Sequence, residues 1–405
     1  MNLLFVAPRL PYPPTRGGEI TVYNFIKHLA DRHAISLVSF YDHEEELSHR
    51  PHLEKYCTRI ELVRRRTKYS PAVFFEVALR GKSYGWARHY SSDFWRVCRQ
   101  LILEEKIDLV QVETYLMAQY QSSFLRRPVV LDMHNTTWLI WERMQKTLSF
   151  PFNVFAAVDG RREKRDELAA CHDADISLAV SEVDKELLLA ETGGETHAEV
   201  VAPGVDTDFL KPEWDLVPKP RLIFVGSMEY VPNIDAMEYF CLEILPLIMK
   251  EMPEVSLTIV GKPTPALQRL GNLPNVNLAG FMDDVRGAIR ESAVSIVPLR
   301  IGGGIRLKIL EAMALGSAIV STSIGCEGLD LTNEQELLVA DSPQDFAAAV
   351  IRLLRDSPLS LKLRRRAREV AESRFSWEQS VARLEAVYSQ VLSRAGVATA
   401  VGKNG

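Results

Sequence analysis

The chain has 405 residues, of which 47% are hydrophobic and 25% are charged, and its formal net charge is −5. This length exceeds one common core and predicts two domains of roughly 150 to 200 residues each. The slight negative charge argues against a dedicated nucleic-acid-binding protein. Five widely separated cysteines form no C-x-x-C pair. They therefore argue against a zinc site or a disulfide framework, and they fit a reducing cytosol.

The chain begins with the apolar segment MNLLFVAPRL, which predicts a buried strand. It lacks the basic leader and cleavage region of a signal peptide, and no apolar run in the chain approaches the ~18 residues of a membrane span. A proline-rich loop, an amphipathic helix through His28 and the strand AISLVSF follow. Gly17 and Gly18 lie between the first strand and this helix. Such a pair serves either a plain turn or the close approach of a ligand.

Three further strands are predicted in the first half, DLVQVE, PVVLDMH and ISLAVS. Their alternation with helical segments is typical of a parallel sheet flanked by helices. His134 and Asn135 lie just past the carboxyl end of the strand PVVLD, where open α/β sheets bind ligands. An isolated histidine also serves structural roles, so the position alone leaves the function of His134 open.

Residues 59–99 form the most basic part of the chain, with ten Lys and Arg against three Asp and Glu, and eight aromatic residues are interleaved. Basic and aromatic helices suit an anionic membrane surface or a lipid-linked acceptor. The same composition fits a solvated face whose aromatic side chains lie in the core, and both interpretations stay open. A nucleic-acid interface is less favoured, because no known binding module matches.

The second half repeats the alternation, with strands predicted in RLIFVGS, SLTIVGK, NVNLAGF, VSIVPL and SAIVST. A Pro-rich segment at 200–222 marks the predicted domain boundary. Two acidic pairs, Asp206 with Asp208 and Asp283 with Asp284, are best explained by turns and caps. We therefore predict that no metal is required.

The most informative segment, residues 294–322, predicts a strand, a loop with Gly302, Gly303 and Gly304, a short helix and a second strand. Arg306 and Lys308 are predicted in the first turn of that helix. Two cations are unfavourable there unless an anion lies ahead of them, because a helix N-terminus carries partial positive charge. A phosphate or diphosphate is the natural anion. The spacing matches neither the dinucleotide fingerprint nor the P-loop.

Glu311 follows in an apolar run of the same helix. It has two interpretations, an exposed pair with Lys308 or a ligand contact.

The segments KILEAMALGSAIVST and RLIFVGSMEYVPNID, with the glycine loop between them, resemble the retaining GT-B glycosyltransferases of family GT4. This resemblance implies an α/β fold of two Rossmann-like doubly wound domains with an interdomain cleft. It divides the chain into an acceptor-binding domain at 1–200 and a nucleotide-sugar-binding domain at 201–375. A C-terminal helix at 376–393 returns to the first domain, and a flexible tail follows at 394–405.

The resemblance also implies roles for individual residues. Glu311 matches the second Glu of the E-x7-E signature and inherits ribose binding, and His134 matches a histidine near the donor sugar. The sequence departs from the family at Gly303, which replaces the first Glu, and at Ser227, which replaces an Arg. We assign the lost phosphate-binding charge to Arg306 and Lys308. The residues expected to contact the donor are Gly17, Gly18, Gly226, Ser227, Asn233, Phe281, Gly302, Gly303 and Gly304.

The resemblance implies transfer of a hexose, with retention of anomeric configuration, from a UDP- or GDP-sugar to a hydroxyl of a glycan or lipid-linked saccharide. The expected role is cell-surface polysaccharide biosynthesis, with no cofactor. A nucleotide-sugar epimerase of GT-B fold and a non-catalytic nucleotide-sugar or glycan-binding protein are the alternatives. The expected location is the cytoplasm, with peripheral contact to the inner face of the plasma membrane through residues 59–99.

Overall fold

The computed structural model describes residues 1–66, 70–148 and 150–396, without the side chains of residues 72, 74 and 266. The predictions made for Lys68, Tyr69 and the last nine residues of the tail lie outside these ranges. Contacts divide the chain into two compact units. The first consists of Met1–Ala202 and the chain from Ser380 onward, and the second of Pro203–Gln379.

The described part of the first unit contains a seven-stranded parallel sheet in the order β3-β2-β1-β4-β5-β6-β7. The strand order reverses between β1 and β4, which makes that edge a topological switch point. Leu3–Ala7 of the central strand are fully buried, as expected where helices cover both faces of a parallel sheet. The strands are β1 Asn2–Ala7, β2 Ala34–Tyr41, β3 Arg59–Arg64, β4 Leu109–Glu113, β5 Val129–Asp132, β6 Ile176–Ala179 and β7 Ala198–Val200.

Helices connect these strands, and short 3-10 turns occur at Glu44–His49 and Gln121–Ser123. Gly17 and Gly18, predicted to precede helix α1, are its first two residues. Ser181 caps α9 by accepting a hydrogen bond from the Asp184 amide at 3.1 Å. The helices are α1 Gly17–Leu29, α2 Arg50–Leu53, α3 Pro71–Leu79, α4 Tyr84–Arg88, α5 Ser92–Glu104, α6 Tyr115–Ala118, α7 Thr137–Thr147, α8 Phe152–Asp173 and α9 Glu182–Glu191.

The described part of the second unit contains a six-stranded parallel sheet in the order β10-β9-β8-β11-β12-β13. Its strands are β8 Lys219–Val225, β9 Ser256–Val260, β10 Val276–Gly280, β11 Ser292–Val297, β12 Ala318–Ser321 and β13 Leu338–Val339. Its helices are α10 Val231–Tyr239, α11 Leu245–Glu251, α12 Pro265–Leu270, α13 Arg286–Arg290, α14 Leu307–Ala314, α15 Ser323–Cys326, α16 Pro343–Arg355 and α17 Ser357–Arg374, with a π turn at Phe240–Ile244.

The last described helix, α18, spans Trp377–Arg394, and from Ser380 onward it belongs to the first unit. Three of its contacts there are polar. The Tyr388 hydroxyl donates to Gln111 Oε1 at 3.1 Å, and Glu385 accepts from Arg32 at 2.9 Å and contacts His33 Nε2 at 2.7 Å. The predicted α/β fold with two parallel sheets is confirmed.

Candidate functional site

The glycine loop of the second unit is held in place by Arg306. The guanidinium of Arg306 donates to the carbonyl oxygens of Gly303 at 2.5 Å, of Gly304, and of Ile324 at 3.0 Å. A Cβ on Gly302 would lie 2.4 Å from Arg306 Nη2, so a side chain at that position would displace the guanidinium. Arg306 therefore fixes the shape of the loop between β11 and α14.

The predicted position of Arg306 in the first turn of the helix is wrong by one residue. Helix α14 begins at Leu307, and Arg306 is its N-cap with extended backbone angles. Its side chain is buried and turned back to the loop carbonyls, because these carbonyl oxygens are the acceptors within reach of the N-cap position. Lys308 lies in the first turn, as predicted.

The side chain of Lys308 extends from α14 to the carboxyl end of strand β8. Its Nζ donates to Asn233 Oδ1 at 2.9 Å and lies 3.9 Å from the centroid of the Phe224 ring. Asn233 Nδ2 in turn donates to the carbonyl oxygen of Ser227 at 2.9 Å. A Cβ on Gly226 would come within 2.9 Å of Lys308 Nζ and 2.8 Å of Asn233 Nδ2, so a side chain there would displace these two groups. The structure thus brings together four residues that the sequence predicted separately, and we call Gly226, Ser227, Asn233 and Lys308 the lysine cluster.

Glu311 lies on α14 three residues beyond Lys308, but no ion pair within 4 Å joins these two described side chains. Burial raises the pKa of Glu311 to about 7, and the Lys308 charge opposes this shift. Burial and the nearby Arg306 charge lower the pKa of Lys308 to about 7, while Glu311 opposes that shift. The exposed surface pair considered from the sequence is therefore wrong, because both side chains are half-buried and no ion pair joins them.

The same edge of the sheet includes the ends of β9 and β10. A Cβ on Gly261 would meet the Gly226 carbonyl oxygen at 2.2 Å, and the Gly261 amide donates to the Gly280 carbonyl oxygen at 2.8 Å. Phe281 follows β10 directly, and its side chain is 60% exposed. The ring is thus open to a ligand at this edge, which leaves its predicted role as a donor contact a prediction.

In the first unit, His134 lies at the end of β5 with two carboxylates around it. His134 Nε2 lies 2.7 Å from Glu113 Oε2, and the His134 amide donates to Asp132 Oδ1 at 3.1 Å. A Cβ on Gly18 would lie 3.8 Å from His134 Nδ1, so the start of α1 faces the other ring nitrogen. The structure therefore brings the predicted Gly18 and His134 together and adds Glu113 and Asp132, and we call His134, Glu113 and Asp132 the histidine cluster.

The charge of the histidine cluster is set by its carboxylates. Burial alone would lower the pKa of His134, but Asp132 and the hydrogen-bonded Glu113 outweigh it and raise the pKa to about 9. The backbone of His134 has a φ of 57°, a left-handed conformation that is uncommon for residues other than glycine. Burial also raises the pKa of Glu113 and of Asp132, and the positive charge of His134 opposes both shifts. The three coupled groups therefore favour a protonated His134 in a constrained position.

One ligand atom from each residue of the histidine cluster lies within 4.8 Å of the others, a spacing that could also surround a cation. However, His134 Nε2 is already engaged by Glu113 at 2.7 Å, which describes an ion-paired network. Glu113 Oε1 is buried without a hydrogen-bond partner in the described structure. The acidic pairs noted in the sequence serve locally, since Asp206 accepts from the Phe209 amide at 2.8 Å and Asp284 pairs with Arg286 at 2.7 Å.

Sequence reasoning missed Glu113 and Asp132. Each is the last residue of its strand, and β4 and β5 are neighbours with Glu113 opposite Asp132 in register. The available signal was two acidic residues that end two successive apolar strands. Comparing the last residues of all predicted strands would have revealed this signal, because the carboxyl ends of parallel strands lie on the same edge of the sheet.

Many of the positive charges in the basic stretch 59–99 are paired with acidic residues. Four exposed arginines pair with acidic residues, namely Arg59 with Glu61, Arg64 with Glu44, Arg80 with Glu76 and Arg96 with Asp93. Phe94 is fully buried, whereas Phe75 and Leu79 on α3 are 59% and 68% exposed. Among the described residues, no helix combines the length and the apolar character needed to cross a bilayer.

Family models match both units. Residues 15–209 match the model described as Glycosyltransferase Family 4, and residues 219–356 match the model described as Glycosyl transferases group 1. A Klebsiella pneumoniae relative, described as an uncharacterized 44.6 kDa protein in the cps region, is 21% identical over 373 residues, which cover 86% of this chain and 90% of the relative.

Solved structures match the whole fold. The sucrose-phosphate synthase of Thermosynechococcus elongatus has a TM-score of 0.75 and 15% identity, covering 97% of this chain and all of that one. Anabaena HepE in complex with UDP and glucose has a TM-score of 0.69 and 15% identity, covering 96% and 99% of the two chains. With family matches that together extend from residue 15 to residue 356, the chain belongs to the group 1 glycosyltransferases of the family 4 type, and it is a glycosyltransferase.

Proposed function

We propose that this glycosyltransferase moves a hexose from a nucleotide diphosphate sugar, with UDP or GDP as the nucleotide, to a hydroxyl of a glycan or lipid-linked saccharide. The observation that carries the proposal is the lysine cluster beside the loop of Gly302, Gly303 and Gly304. Anabaena HepE, a structural neighbour, was solved with UDP and glucose. The Klebsiella relative from a cps region supports a role in cell-surface polysaccharide biosynthesis.

The lysine cluster suits a diphosphate for electrostatic reasons. Lys308 has a pKa of about 7 because it is buried next to Arg306, so an incoming dianion would restore its proton and gain a strong charge-assisted hydrogen bond. The N-terminus of α14 adds partial positive charge on the same side. Arg306 contributes its charge while its guanidinium holds the loop carbonyls. Preorganised positive charge of this kind stabilises a departing diphosphate.

Glu311 suits the sugar part of the nucleotide. Its carboxylate would accept hydrogen bonds from ribose hydroxyls, which replace the water that burial removes. Gly303 stands where the family has a Glu, so backbone amides of the loop would contact the donor sugar in its place.

The proposed reaction retains the anomeric configuration and needs neither a metal nor a cofactor. The leaving phosphate oxygen would accept the proton of the acceptor hydroxyl on the same face of the sugar, so no enzyme nucleophile is required. His134, held as an imidazolium by Glu113 and Asp132, would donate a hydrogen bond from Nδ1 to a sugar hydroxyl or phosphate oxygen.

Cytoplasmic location and contact with the inner face of the plasma membrane through residues 59–99 stay predictions. Phe75 and Leu79 are the exposed apolar side chains of that stretch that would enter an interface. Co-sedimentation of the full chain with anionic and with neutral vesicles tests this point. Binding to the anionic vesicles that is reduced by Phe75→Ser with Leu79→Ser would support it, and equal recovery in the supernatant with both vesicle types would contradict it.

The donor is best identified by thermal unfolding of the full chain with a panel of UDP-, GDP-, ADP- and dTDP-sugars. Site-specific binding raises the melting temperature by mass action. We expect a rise with one nucleotide that is lost in Lys308→Met and Glu311→Gln and kept in the matched controls Lys250→Met and Glu254→Gln, which lie on the exposed surface of the same unit.

Product analysis then separates the possible activities. Transfer requires an acceptor and gives a product whose anomeric configuration is read by NMR, whereas epimerisation of the donor requires no acceptor. Binding without turnover over an acceptor panel would point to a non-catalytic protein. A rise in melting temperature that survives both Lys308→Met and Glu311→Gln would contradict the proposed donor site.

A further inference from the structure

Three arginines of the first unit gather around a single carboxylate at the carboxyl ends of three neighbouring strands. Arg9 follows β1 by two residues, Asp42 follows β2 directly, and Arg65 follows β3 directly. Arg88 is the last residue of α4. We call Arg9, Arg65, Arg88 and Asp42 the arginine cluster. It lies on the edge of the sheet where open α/β folds bind ligands, next to the switch point between β1 and β4.

Arg65 forms hydrogen bonds with both oxygens of the Asp42 carboxylate. Its Nε donates to Asp42 Oδ1 at 2.8 Å, and its Nη2 donates to Asp42 Oδ2, which forms a two-pronged pair. The nearest approaches of Arg9 and Arg88 to Asp42 are 3.5 and 3.6 Å, too long for direct hydrogen bonds. Among the described residues, no other carboxylate lies within 4 Å of these two guanidiniums. Three cations thus share one anion.

The excess positive charge affects the hydrogen bonding and the pKa values of the arginine cluster. Arg88 Nε is buried without a hydrogen-bond partner in the described part of the chain. Burial and the neighbouring Arg65 lower the pKa of Arg9 to about 10, and the same two causes lower the pKa of Arg88. His89 contacts Arg65 Nη1 at 2.8 Å, and burial and Arg65 lower its pKa to about 3, so it is neutral and offsets no charge.

Other acidic groups near the arginine cluster are occupied. Glu19 accepts hydrogen bonds from the amides of Thr15 and Arg16, where it caps the start of α1. A purely structural tie between the strand ends needs only the pair of Arg65 with Asp42. The positive charges of Arg9 and Arg88 repel that of Arg65, and among the described residues neither has a carboxylate within hydrogen-bond distance. This repulsion destabilises the folded protein unless a second anion is present.

Exposure differs among the three side chains in a way that forms an open site. Arg65 is 1% exposed and forms the floor, Arg88 is 14% exposed, and Arg9 is 39% exposed. A ligand can therefore reach Arg9 and Arg88 from solvent, while the buried pair holds them in place. Guanidinium groups match the paired oxygens of phosphate and carboxylate groups.

We propose that the arginine cluster binds an anionic group of the acceptor, either a phosphate or a uronic-acid carboxylate. This inference rests on the proposed transferase function and specifies the chemistry of its second substrate. The acceptor is then a charged saccharide or a saccharide phosphate, with its anion held by Arg9 and Arg88. Neutral glycans of the same size bind more weakly.

The test measures the melting temperature of the full chain at constant ionic strength with three probes. These are inorganic phosphate, methyl glucuronide and the neutral methyl glucoside. We expect a rise of about 2 to 4 °C with at least one anionic probe and none with the glucoside. The rise is lost in Arg9→Gln and in Arg88→Gln, and it is kept in Lys308→Met and in the control Arg96→Gln, an exposed arginine of the same unit.

The response also separates the two sources of the anion, since a rise with phosphate alone indicates a phosphorylated acceptor and a rise with the glucuronide indicates an acidic sugar. A rise that Lys308→Met removes and the two cluster variants keep would place the anion in the donor site and overturn the inference. No rise with either anionic probe would also overturn it. Arg9 is partly exposed, so Arg9→Gln keeps the test valid if Arg88→Gln does not fold.

Failure of the inference is distinguishable from failure of the proposed donor site. The nucleotide-sugar panel is measured on the same proteins. A nucleotide response without an anion response contradicts only the arginine cluster, and an anion response without a nucleotide response contradicts only the lysine cluster.

Discussion

The histidine cluster of the first unit and the lysine cluster of the second unit respond to burial in opposite ways. His134 and Lys308 each lie at the carboxyl edge of a parallel sheet, and burial disfavours the charged form of both. Yet the pKa of His134 rises to about 9 and that of Lys308 falls to about 7. His134 has two carboxylates beside it, whereas Lys308 has Arg306 nearby and Glu311 beyond contact distance. The neighbours therefore decide which group stays charged.

The histidine cluster already contains the anions that neutralise its cation, so its charge is available without a ligand. Among the described residues, no carboxylate forms an ion pair with Lys308 of the lysine cluster, so this cluster would gain its full charge only when an anion arrives. A permanent imidazolium suits positioning, while a conditional ammonium suits binding of a diphosphate.

The largest effect is expected when the Glu113 carboxylate of the histidine cluster is replaced. Glu113→Gln removes the charge that stabilises the buried imidazolium, and we expect the free energy of unfolding to fall by about 3 kcal/mol. Urea denaturation measures this, with the exposed Glu186→Gln on α9 as the control. An unchanged midpoint would show that Glu113 carries no charge in the native protein.

The pH dependence of stability tests the same cluster without removing a carboxylate. The pKa of His134 rises on folding from its ordinary value of 6.5 to about 9, so its contribution is complete below pH 6.5 and is lost as the pH rises through 9. We expect the difference in unfolding free energy between the wild type and His134→Gln to shrink by about 3 kcal/mol over that interval. A difference that is constant from pH 6 to pH 10 would contradict an imidazolium.

A smaller effect is expected at the loop of the second unit. Arg306→Gln loses charge-assisted hydrogen bonds to three carbonyl oxygens, so we expect unfolding to become easier by about 1 to 2 kcal/mol and the affinity for the donor to fall about tenfold. Calorimetry and denaturation measure the two quantities, with Arg355→Gln, an exposed arginine of α16, as the control. If Arg306→Gln bound the donor as tightly as the wild type, the loop held by Arg306 would not contribute to donor binding.

The smallest expected effect concerns metals. Both clusters obtain their positive charge from side chains, so we expect that EDTA leaves the transfer rate unchanged. Loss of activity that Mg²⁺ or Mn²⁺ restores would instead assign a cation to the enzyme, and the histidine cluster would be the first place to look.

The sequence predicted the sheets better than the contacts between side chains. Strong apolar runs such as LLFVA and AIVS identify inner strands, whereas the edge strands β3, β7 and β13 are not predicted, because these three are short or carry charges such as Arg59 and Glu61. Motif spacing identified Lys308, Asn233 and Gly226 as separate candidates. It could not show that Arg306 faces its own loop, since the direction of a side chain at a helix N-cap depends on backbone angles.

Charge compensation was the least predictable property. The composition of the basic stretch 59–99 suggests one surface, but some of its arginines form exposed ion pairs, whereas Arg65 and Arg88 belong to the arginine cluster. The partners Asp42 and Glu44 come from outside that stretch, and no local pattern connects them with it. Likewise, Glu113 and His134 are 21 residues apart and meet only because β4 and β5 are adjacent.

The most direct test of the donor site is calorimetry of nucleotide-sugar binding at pH 8 in two buffers that differ in ionisation enthalpy. Free Lys308 is mostly neutral at that pH, because its pKa is about 7, and a bound diphosphate would restore the proton. We therefore predict that UDP-glucose, or its GDP counterpart, binds the wild type with uptake of up to one proton, whereas Lys308→Met shows neither comparable binding nor proton uptake. Binding without proton uptake in the wild type, or the same uptake in both proteins, would contradict the conditional charge and the diphosphate site built on it.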